Sequence, residues 1–203
     1  MPKKVDVDAQ RQAIAGAAIE VIGQAGLDGA RLRDVARAAH VTTGAVTHYF
    51  DGKDAVLEAA LGEIVRRTLE RMERPAKAPR DLAVFIAGVC TYLPIDERGR
   101  QEWRVWLAFW GRAIADERLR AIHRDYYARI IEGLRDPLLA LRGARARPSP
   151  SRIRHCADAL VAAIDGIGIR ATLEAEHWPA KRQRATLTSL LIPLLTIFMT
   201  GAE

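Results

Sequence analysis

Hydrophobic residues recur three or four positions apart along most of this chain, which is the spacing of one face of an α-helix. The first such stripe lies within 8–26 and ends at Gly26, a residue typical of a helix C-terminus. Later stripes predict helices over 54–75, 81–93, 102–115, 117–141 with a break near Pro137, 151–176 and 180–200. No stretch alternates hydrophobic and polar residues over a useful length, so the pattern predicts an all-helical (all-α) protein.

A different arrangement occupies the segment from Arg31 to Lys53, which reads RLRDVARAAHVTTGAVTHYFDGK. Two short helical stripes are separated here by a tight turn, and the second has Thr42 and Thr43 as N-cap candidates. Val46 and Phe50 lie on one side of this second helix. The opposite, polar face carries Thr43, Thr47 and His48, with Tyr49 nearby. A short helix with small polar groups near its N-terminus can enter the major groove of DNA, so the segment predicts a helix-turn-helix.

The run L-R-D-V-A-R-A-A followed by V-T-T-G-A-V-T-H-Y-F-D-G-K resembles the DNA-binding domain of the TetR family of bacterial repressors. The resemblance implies a three-helix DNA-binding domain at about 1–53 and a helical ligand-binding and dimerisation domain at about 54–203. The family's base-contacting positions fall on Thr42, Thr43, Ala45 and Thr47. Its backbone-contacting positions fall on Gly44, His48, Tyr49 and Lys53.

Two residues depart from the pattern that this resemblance implies. His40 stands in the turn where the family usually has glycine, so a left-handed backbone there costs more free energy. Ala30 and Arg31 replace the usual hydroxyl cap of the first motif helix. A phosphate contact at this point would therefore come from Arg31 or from the backbone.

The charge of the chain suits a polyanionic partner without locating the surface that would bind it. The 203 residues carry a formal charge of +6 and a pI near 9.7. Residues 1–53 hold seven Lys/Arg against six Asp/Glu, so a surplus of +5 lies in 54–203. The motif, rather than the charge, predicts that double-stranded operator DNA is a partner.

The last two predicted helices have more apolar surface than one small bundle needs to bury. The first of them, 151–176, interleaves larger residues with Ala157, Ala163, Gly166 and Gly168, and the second, 180–200, is bulky and apolar. Two helices from each of two copies would bury this surface as a four-helix interface, which predicts a homodimer. The uncharged run 185–202 contains four threonines, a serine and a proline. It therefore favours a buried element or a subunit interface over a membrane anchor.

An aromatic stripe in the middle of the chain has two interpretations. Trp103, Trp106 and Trp110 fall at i, i+3 and i+7, which is also what a helix face packed in a core looks like. The functional interpretation is an effector pocket lined by these rings together with Phe109, Tyr92 and Tyr126, with Tyr127 as a further candidate and Glu102 or Asp165 as a nearby acid. The segment W-R-V-W-L-A-F-W, with I-D-G at 164–166, resembles the choline-responsive BetI-type branch of the family. Aromatic rings attract quaternary ammonium groups, so a choline-like cation is one candidate effector, although an apolar or aromatic small molecule is favoured.

Motifs for catalysis, metals and cofactors do not occur in the sequence. There is no P-loop, no GxGxxG, no GxSxG, no HExxH and no paired Cys/His cluster, so we expect neither an enzyme nor a bound metal or cofactor. Cys90 and Cys156 fall in apolar stripes, which predicts buried free thiols, and no secretory signal opens the chain. These features favour a cytoplasmic protein. A helical enzyme and a structural dimer without DNA affinity remain as alternatives to a regulator.

Overall fold

The computed structural model describes residues 7–73, 81–143 and 148–200. Within these ranges the chain forms ten α-helices and no strand, as the hydrophobic periodicity predicts. The helices are α1 Val7–Gly29, α2 Leu32–Ala38, α3 Thr43–Tyr49, α4 Gly52–Glu73, α5 Leu82–Cys90, α6 Glu97–Ala113, α7 Glu117–Gly133, α8 Arg135–Arg142, α9 Pro150–Leu173 and α10 Ala180–Thr200. The predicted loop around Pro75 and Pro79 and the first residues of the chain lie outside the described ranges.

Packing divides the chain into two compact units that do not follow the chain order. One unit contains residues up to Arg66 together with Arg100–Arg120, and the other contains Arg67–Gly99 and the residues from Ala121 onward. Helices α4, α6 and α7 therefore contribute residues to both units. The division at residue 53 between a DNA-binding and a regulatory part is a functional one and stays a prediction.

The first unit is built on α1, whose apolar face is fully buried. Ile14, Ala18 and Ile22 are each at most 1% exposed. Close packing on α6 requires a glycine at position 23, because a Cβ there would lie 2.8 Å from the Cβ of Gln101. The side chain of Arg104 donates to the Gly23 carbonyl oxygen at 2.6 Å across the same crossing. This packing places part of α6 against the helix that supports the helix-turn-helix.

The second unit has a separate apolar core formed by α5, α8, α9 and α10. Its centre contains Leu138, Leu187, Leu191 and Leu195, all of which have no exposed surface. Buried Arg142 at the end of α8 donates a hydrogen bond to the carbonyl oxygen of Phe198 in α10. Both cysteines are free and buried, as the sequence predicts.

The helix boundaries agree with the periodicity except where a local signal is weak. The sixth helix begins at Glu97, five residues before the predicted start, because Asp96 accepts a hydrogen bond from the Gly99 amide at 2.7 Å and so caps it. The break predicted near Pro137 occurs at Leu134. Proline lacks an amide hydrogen and its ring clashes with the carbonyl four residues back, so the discontinuity falls one turn before it. Among the described residues, no helix is long and apolar enough to cross a membrane.

Candidate nucleic-acid interface and effector residues

Helix α3 has one buried side and one exposed side, and its start is set by a threonine. The Thr42 hydroxyl oxygen accepts a hydrogen bond from the Ala45 amide at 3.1 Å, which makes Thr42 the N-cap. Val46 is completely buried and Phe50, at the C-cap, is 3% exposed. The exposed residues of this segment are Thr42, Thr43, Gly44, Thr47 and His48, while Ala45 and Tyr49 are partly buried. The side of α3 that the sequence assigns to DNA therefore faces away from the core of its unit.

The Thr47 hydroxyl of α3 has hydrogen-bond partners within the helix and can still accept from outside. Thr47 donates to the carbonyl oxygens of Thr43 and Gly44 at 3.3 and 3.1 Å. These bonds orient the Thr47 side chain, which remains exposed. The ring of His48 lies edge-on to that of Tyr49 with centroids 5.2 Å apart. Small polar and methyl groups of this kind match the edges of bases in a major groove.

The turn between α2 and α3 has a left-handed residue at the position where the sequence predicts it. His40 has a φ of 56° and is the only non-glycine residue with positive φ in the described part of the chain. The amide of His40 donates to Arg37 at 3.1 Å and that of Val41 donates to Ala36 at 2.9 Å. This pair of bonds is the Schellman arrangement that closes a helix C-terminus. The turn therefore has the geometry of a glycine turn with a histidine in place.

Lys53 at the start of α4 already contacts the protein. Its ammonium group donates to the carbonyl oxygens of Leu27 and Asp28 at 3.4 and 3.0 Å, near the end of α1. The sequence predicted a phosphate contact for Lys53 and not this internal contact.

Arg11 is a residue of the site that sequence reasoning missed. Its guanidinium donates to the Tyr49 carbonyl oxygen at 2.6 Å and lies 4.7 Å from the centroid of the Phe50 ring. It therefore joins α1 to the C-terminal end of α3 with a charge-assisted bond and a cation–π contact. Only its helical position facing the motif could have indicated this role, because Arg11 lies 38 residues from its partner. Arg31, the predicted phosphate contact, is exposed at the N-cap of α2 and forms no side-chain cap bond.

The aromatic candidates on α6 belong to the first unit and contact one another. The ring centroids of Trp103 and Trp110 are 6.1 Å apart in an edge-on arrangement, and those of Trp106 and Trp110 are 5.9 Å apart. Phe109 is completely buried and Trp103 is 6% exposed. The indole nitrogen of Trp110 is buried and has no hydrogen-bond partner within the described part of the chain. Trp103 thus has the burial of a packed helix face, whereas Trp106 and Trp110 are partly exposed. The role of the stripe in ligand binding stays a prediction.

The remaining effector candidates lie in the second unit, where an acid on α9 meets a tyrosine on α7. The Tyr127 hydroxyl donates to the Asp165 carboxylate at 2.8 Å, and the ring centroids of Tyr127 and His123 are 4.3 Å apart. Burial raises the pKa of Asp165 to about 6, and the hydrogen bond from Tyr127 partly opposes this. Burial also lowers the pKa of His123. Asp165 forms no ion pair with a described residue.

Two other candidates in this unit are less well defined. The guanidinium of Arg71 lies 5.2 Å from the centroid of the Tyr92 ring, and burial raises the pKa of Tyr92. Tyr126 is partly buried next to Tyr127 in the chain. Of the two tyrosines of α7 that the sequence offered as effector candidates, Tyr127 is the one that donates to Asp165.

Comparisons with known proteins give the same class as this geometry. The family model described as bacterial regulatory proteins of the tetR family matches residues 14–60, and that of the BetI-type transcriptional repressor C-terminal region matches residues 87–196. The HTH-type transcriptional regulator BetI of Burkholderia thailandensis is 32% identical over 185 residues, which cover 89% of this chain and 91% of that protein.

Solved structures share the fold over nearly the full length. The crystal structure of a transcriptional regulator from Rhodococcus sp. Rha1 is 28% identical with a TM-score of 0.71, and the match covers 94% of this chain and 96% of that one. A regulator from Saccharomonospora viridis, solved in complex with choline, is 22% identical with a TM-score of 0.71, covering 91% and 96%.

An outward-facing polar helix in a helix-turn-helix, joined to an all-helical remainder, defines a DNA-binding transcriptional regulator. The relatives that this chain matches over most of their length are transcriptional regulators. The chain belongs to the TetR family, and its C-terminal part is of the BetI type. Regulators of this family bind operator DNA and small-molecule effectors and usually function as dimers.

Proposed function

We propose that this regulator is a cytoplasmic repressor that binds a palindromic operator as a dimer and leaves it when a small molecule binds. The observation that carries the proposal is the exposure of Thr43, Thr47 and His48 on a helix whose opposite side is fully buried at Val46. The DNA-bound protein would block a promoter that overlaps the operator. One copy reads too few base pairs for specificity, so two copies on half-sites about 34–36 Å apart, or a multiple of that, are required.

The residues of α3 would divide between base reading and backbone contact. The base edges would be contacted by Thr43, Ala45 and Thr47. Thr42 would join them through the part of its hydroxyl that does not cap the helix. Gly44, His48 and Tyr49 would contact phosphates. Arg31 and Lys53 flank this helix and would add charge, and Lys53 has three donor hydrogens, of which its two carbonyl contacts use two.

Gel shifts with DNA from upstream of the protein's own gene test the DNA-binding surface. Thr43→Ala and Thr47→Ala should each weaken binding to the preferred sequence and relax its specificity, because base contacts carry sequence information. Lys53→Ala should weaken binding to all sequences and flatten the salt dependence by about one unit. Thr91→Ala is a matched control, since Thr91 also donates to a carbonyl of its own helix but lies at the C-cap of α5. Unchanged affinity for both α3 variants would contradict the assignment.

Exposed apolar residues on the last helices support the proposed homodimer. Leu173 at the end of α9 is 72% exposed, and Leu190 and Ile197 on α10 are 49% and 52% exposed. Leu190 and Ile197 are seven residues apart and so face nearly the same direction. A Cβ added at Gly166 of α9 would meet nothing within 4 Å, so this helix offers an open surface for close approach. A second copy would bury these side chains.

The Asp165 cluster supports a small organic cation as the effector. A largely buried carboxylate without an ion pair is costly, and a bound cation would remove that cost. A choline-like molecule has the required charge, and Tyr127 beside Asp165 adds an aromatic face. An apolar or aromatic neutral effector remains the alternative, for which the α6 tryptophans are the proposed contacts.

Calorimetric titration distinguishes these two effectors. Choline and tetramethylammonium should bind to the intact protein and lose at least tenfold in affinity in Asp165→Asn, because a desolvated opposite charge is removed. Asp158→Asn, which changes an exposed acid on the same helix, should bind like the unmodified protein. Binding of neutral aromatic molecules alone, with cations inactive, would exclude the cation and favour the alternative.

Induction is proposed to act through α4, which contributes residues to both compact units. A ligand shifts the equilibrium between the DNA-binding and the released arrangement of the dimer only by its difference in affinity for the two. It must therefore bind more tightly to one position of α4 than to the other. Spin labels at Ala38→Cys, at the end of α2 in both copies, would report the distance between the two helix-turn-helix motifs, since Ala38 is exposed and both native cysteines are buried. A ligand that releases DNA while leaving this distance unchanged would contradict the mechanism.

A further inference from the structure

A groove between α5 and α10 in the second unit has no part in the function proposed above. It has a volume of about 540 Å³, within the range of small-molecule sites. Its walls are mostly apolar, formed by Leu82, Ile86 and Cys90 of α5 and by Ile192 of α10. It shares no residue with the reading helix or with the aromatic and acidic effector candidates.

The polar groups of this groove are concentrated on one side of α10. Arg184 and Thr188 are one helical turn apart and both line the groove. Neither the Arg184 guanidinium nor the Thr188 hydroxyl forms a hydrogen bond or an ion pair with a described residue. Arg184 also lies close enough to Cys90 to oppose the rise in the pKa of that thiol which burial causes. A cation and a hydroxyl donor are thus available at one end of an apolar wall.

The opposite end of the groove carries an acid that is already used. Asp81 lines the groove at the start of α5, where its carboxylate accepts a hydrogen bond from the Ala83 amide at 2.7 Å and caps the helix. Arg184 is therefore the charged group of the lining without a protein partner. From Arg184 to Ile192 the helix rises about 12 Å, the length of a chain of roughly eight to ten carbons.

We propose that this groove binds an amphipathic carboxylate, with its carboxylate on Arg184 and Thr188 and its apolar chain along Ile86 and Ile192. The guanidinium and hydroxyl supply charge-assisted hydrogen bonds to the anionic end. The apolar wall removes the chain from water.

Dimerisation through α9 and α10 leaves this groove open. Ile192 lies about 200° around α10 from Leu190, so the groove and the proposed dimer face occupy opposite sides of the helix. The buried stripe of Leu187, Leu191 and Leu195 lies between them. The same chain can therefore have a partner copy and a ligand on one helix.

Calorimetric titration of the full chain without DNA tests the site, using hexanoate, octanoate and decanoate as probes. Affinity should rise roughly fourfold for each added methylene up to a chain of about eight to ten carbons, which is the effect of burying each group. Octanol and octyltrimethylammonium, which have the same chain without the negative charge, should bind at least tenfold more weakly than octanoate.

Three variants separate this site from non-specific binding. Arg184→Gln should weaken octanoate at least tenfold, while Lys181→Gln, which removes an exposed charge from the same helix, should not. Ala87→Trp fills the groove from the exposed side of α5 and should abolish binding, with circular dichroism confirming the fold. Octanoate affinity that is absent, equal to that of octanol, or unchanged in Arg184→Gln and Ala87→Trp would overturn the proposal. Because DNA is not in the titration, each result is independent of the proposed repressor function.

Discussion

At the scale of single residues, His40 shows how a sequence departure becomes a structural cost. Its φ of 56° is the left-handed backbone conformation, which glycine adopts freely and which costs free energy in a residue that has a Cβ. The amides of His40 and Val41 close the end of α2 through that conformation. The turn geometry is therefore kept by its hydrogen bonds and by the packing of both motif helices, against the preference of the residue.

Replacing His40 tests this cost. His40→Gly should raise the free energy of unfolding by roughly 1 kcal/mol, because glycine removes the left-handed strain. His40→Val should lower it by at least as much, since a β-branched residue tolerates positive φ least. Urea denaturation measures both. Equal stability of the three proteins would contradict a strained turn.

Asp165 is a second residue whose surroundings set its chemistry. Its pKa is raised to about 6 by burial, so the folded protein binds a proton more tightly than the unfolded chain does. The folded state holds more protons than the unfolded state between about pH 4 and 6, so stability must fall as pH rises through this window. The loss amounts to roughly 3 kcal/mol above the window for a difference of about two pKa units.

Asp165→Asn should remove this pH dependence. The variant should be more stable than the unmodified protein at pH 7.5 and similar to it at pH 4, as measured by urea denaturation at both values. Tyr127→Phe should move the fall in stability to higher pH, since the Tyr127 hydrogen bond lowers the pKa of Asp165. If the free energy of unfolding of Asp165→Asn changed between the two pH values as much as that of the unmodified protein, the raised pKa would be contradicted.

At the scale of elements, α3 is a seven-residue helix held in place by its neighbours. A helix of this length is unstable alone, so its position depends on tertiary contacts. Val46 and Phe50 bury one side, and Arg11 of α1 holds the C-terminal end through the Tyr49 carbonyl oxygen. Lys53 of α4 contacts the end of α1 in a similar way. The reading helix is thus positioned by its buried side chains and by Arg11, while Lys53 joins the start of α4 to α1.

Arg11→Ala should lower operator affinity roughly tenfold by loosening α3, which corresponds to the loss of one charge-assisted hydrogen bond. The salt dependence of binding should not change if Arg11 acts through α3 rather than on a phosphate. Arg129→Ala, which removes an exposed arginine of α7, is the control. Gel shifts at several salt concentrations measure both quantities. A flattened salt slope for Arg11→Ala would show a direct phosphate contact instead.

At the scale of the whole molecule, specific DNA binding requires two reading helices in a fixed relation. The exposed apolar side chains on α9 and α10 are the structural basis for expecting a second copy. Symmetric dimers use the same patch on both copies, so a substitution there acts twice in the assembly. Disrupting this surface should therefore separate dimerisation from the folding of each copy.

Leu190→Glu combined with Ile197→Glu should convert the protein to a monomer and abolish the operator gel shift at the same concentration. The charges would be buried without partners at a dimer interface but are solvated in a monomer. Gly166→Leu should also weaken the dimer, because its side chain enters space that is open in a single copy. Gly111→Leu, also in open space but on α6, is the matched control. A dimer that survives both changes in analytical ultracentrifugation would place the interface elsewhere.

Much of the architecture could be predicted because helical periodicity is a local property. The bounds of α10, the capping threonine of α3 and the left-handed turn at His40 each depend on residues a few positions apart. The start of α6 and the exact place of the break before Pro137 were less accurate, since one capping aspartate and one backbone clash decide them. The buried free cysteines followed from their apolar neighbours in the sequence.

The sequence by itself determined that the chain is helical and that it carries a DNA-reading motif near its N-terminus. Only the tertiary structure decided which side chains meet: Arg11 with Tyr49, Tyr127 with Asp165, and α5 with α10 around a groove that contains Arg184. The physical reason is that hydrogen-bonded helices follow from neighbouring residues, whereas contacts across 38 or more positions depend on how whole helices pack.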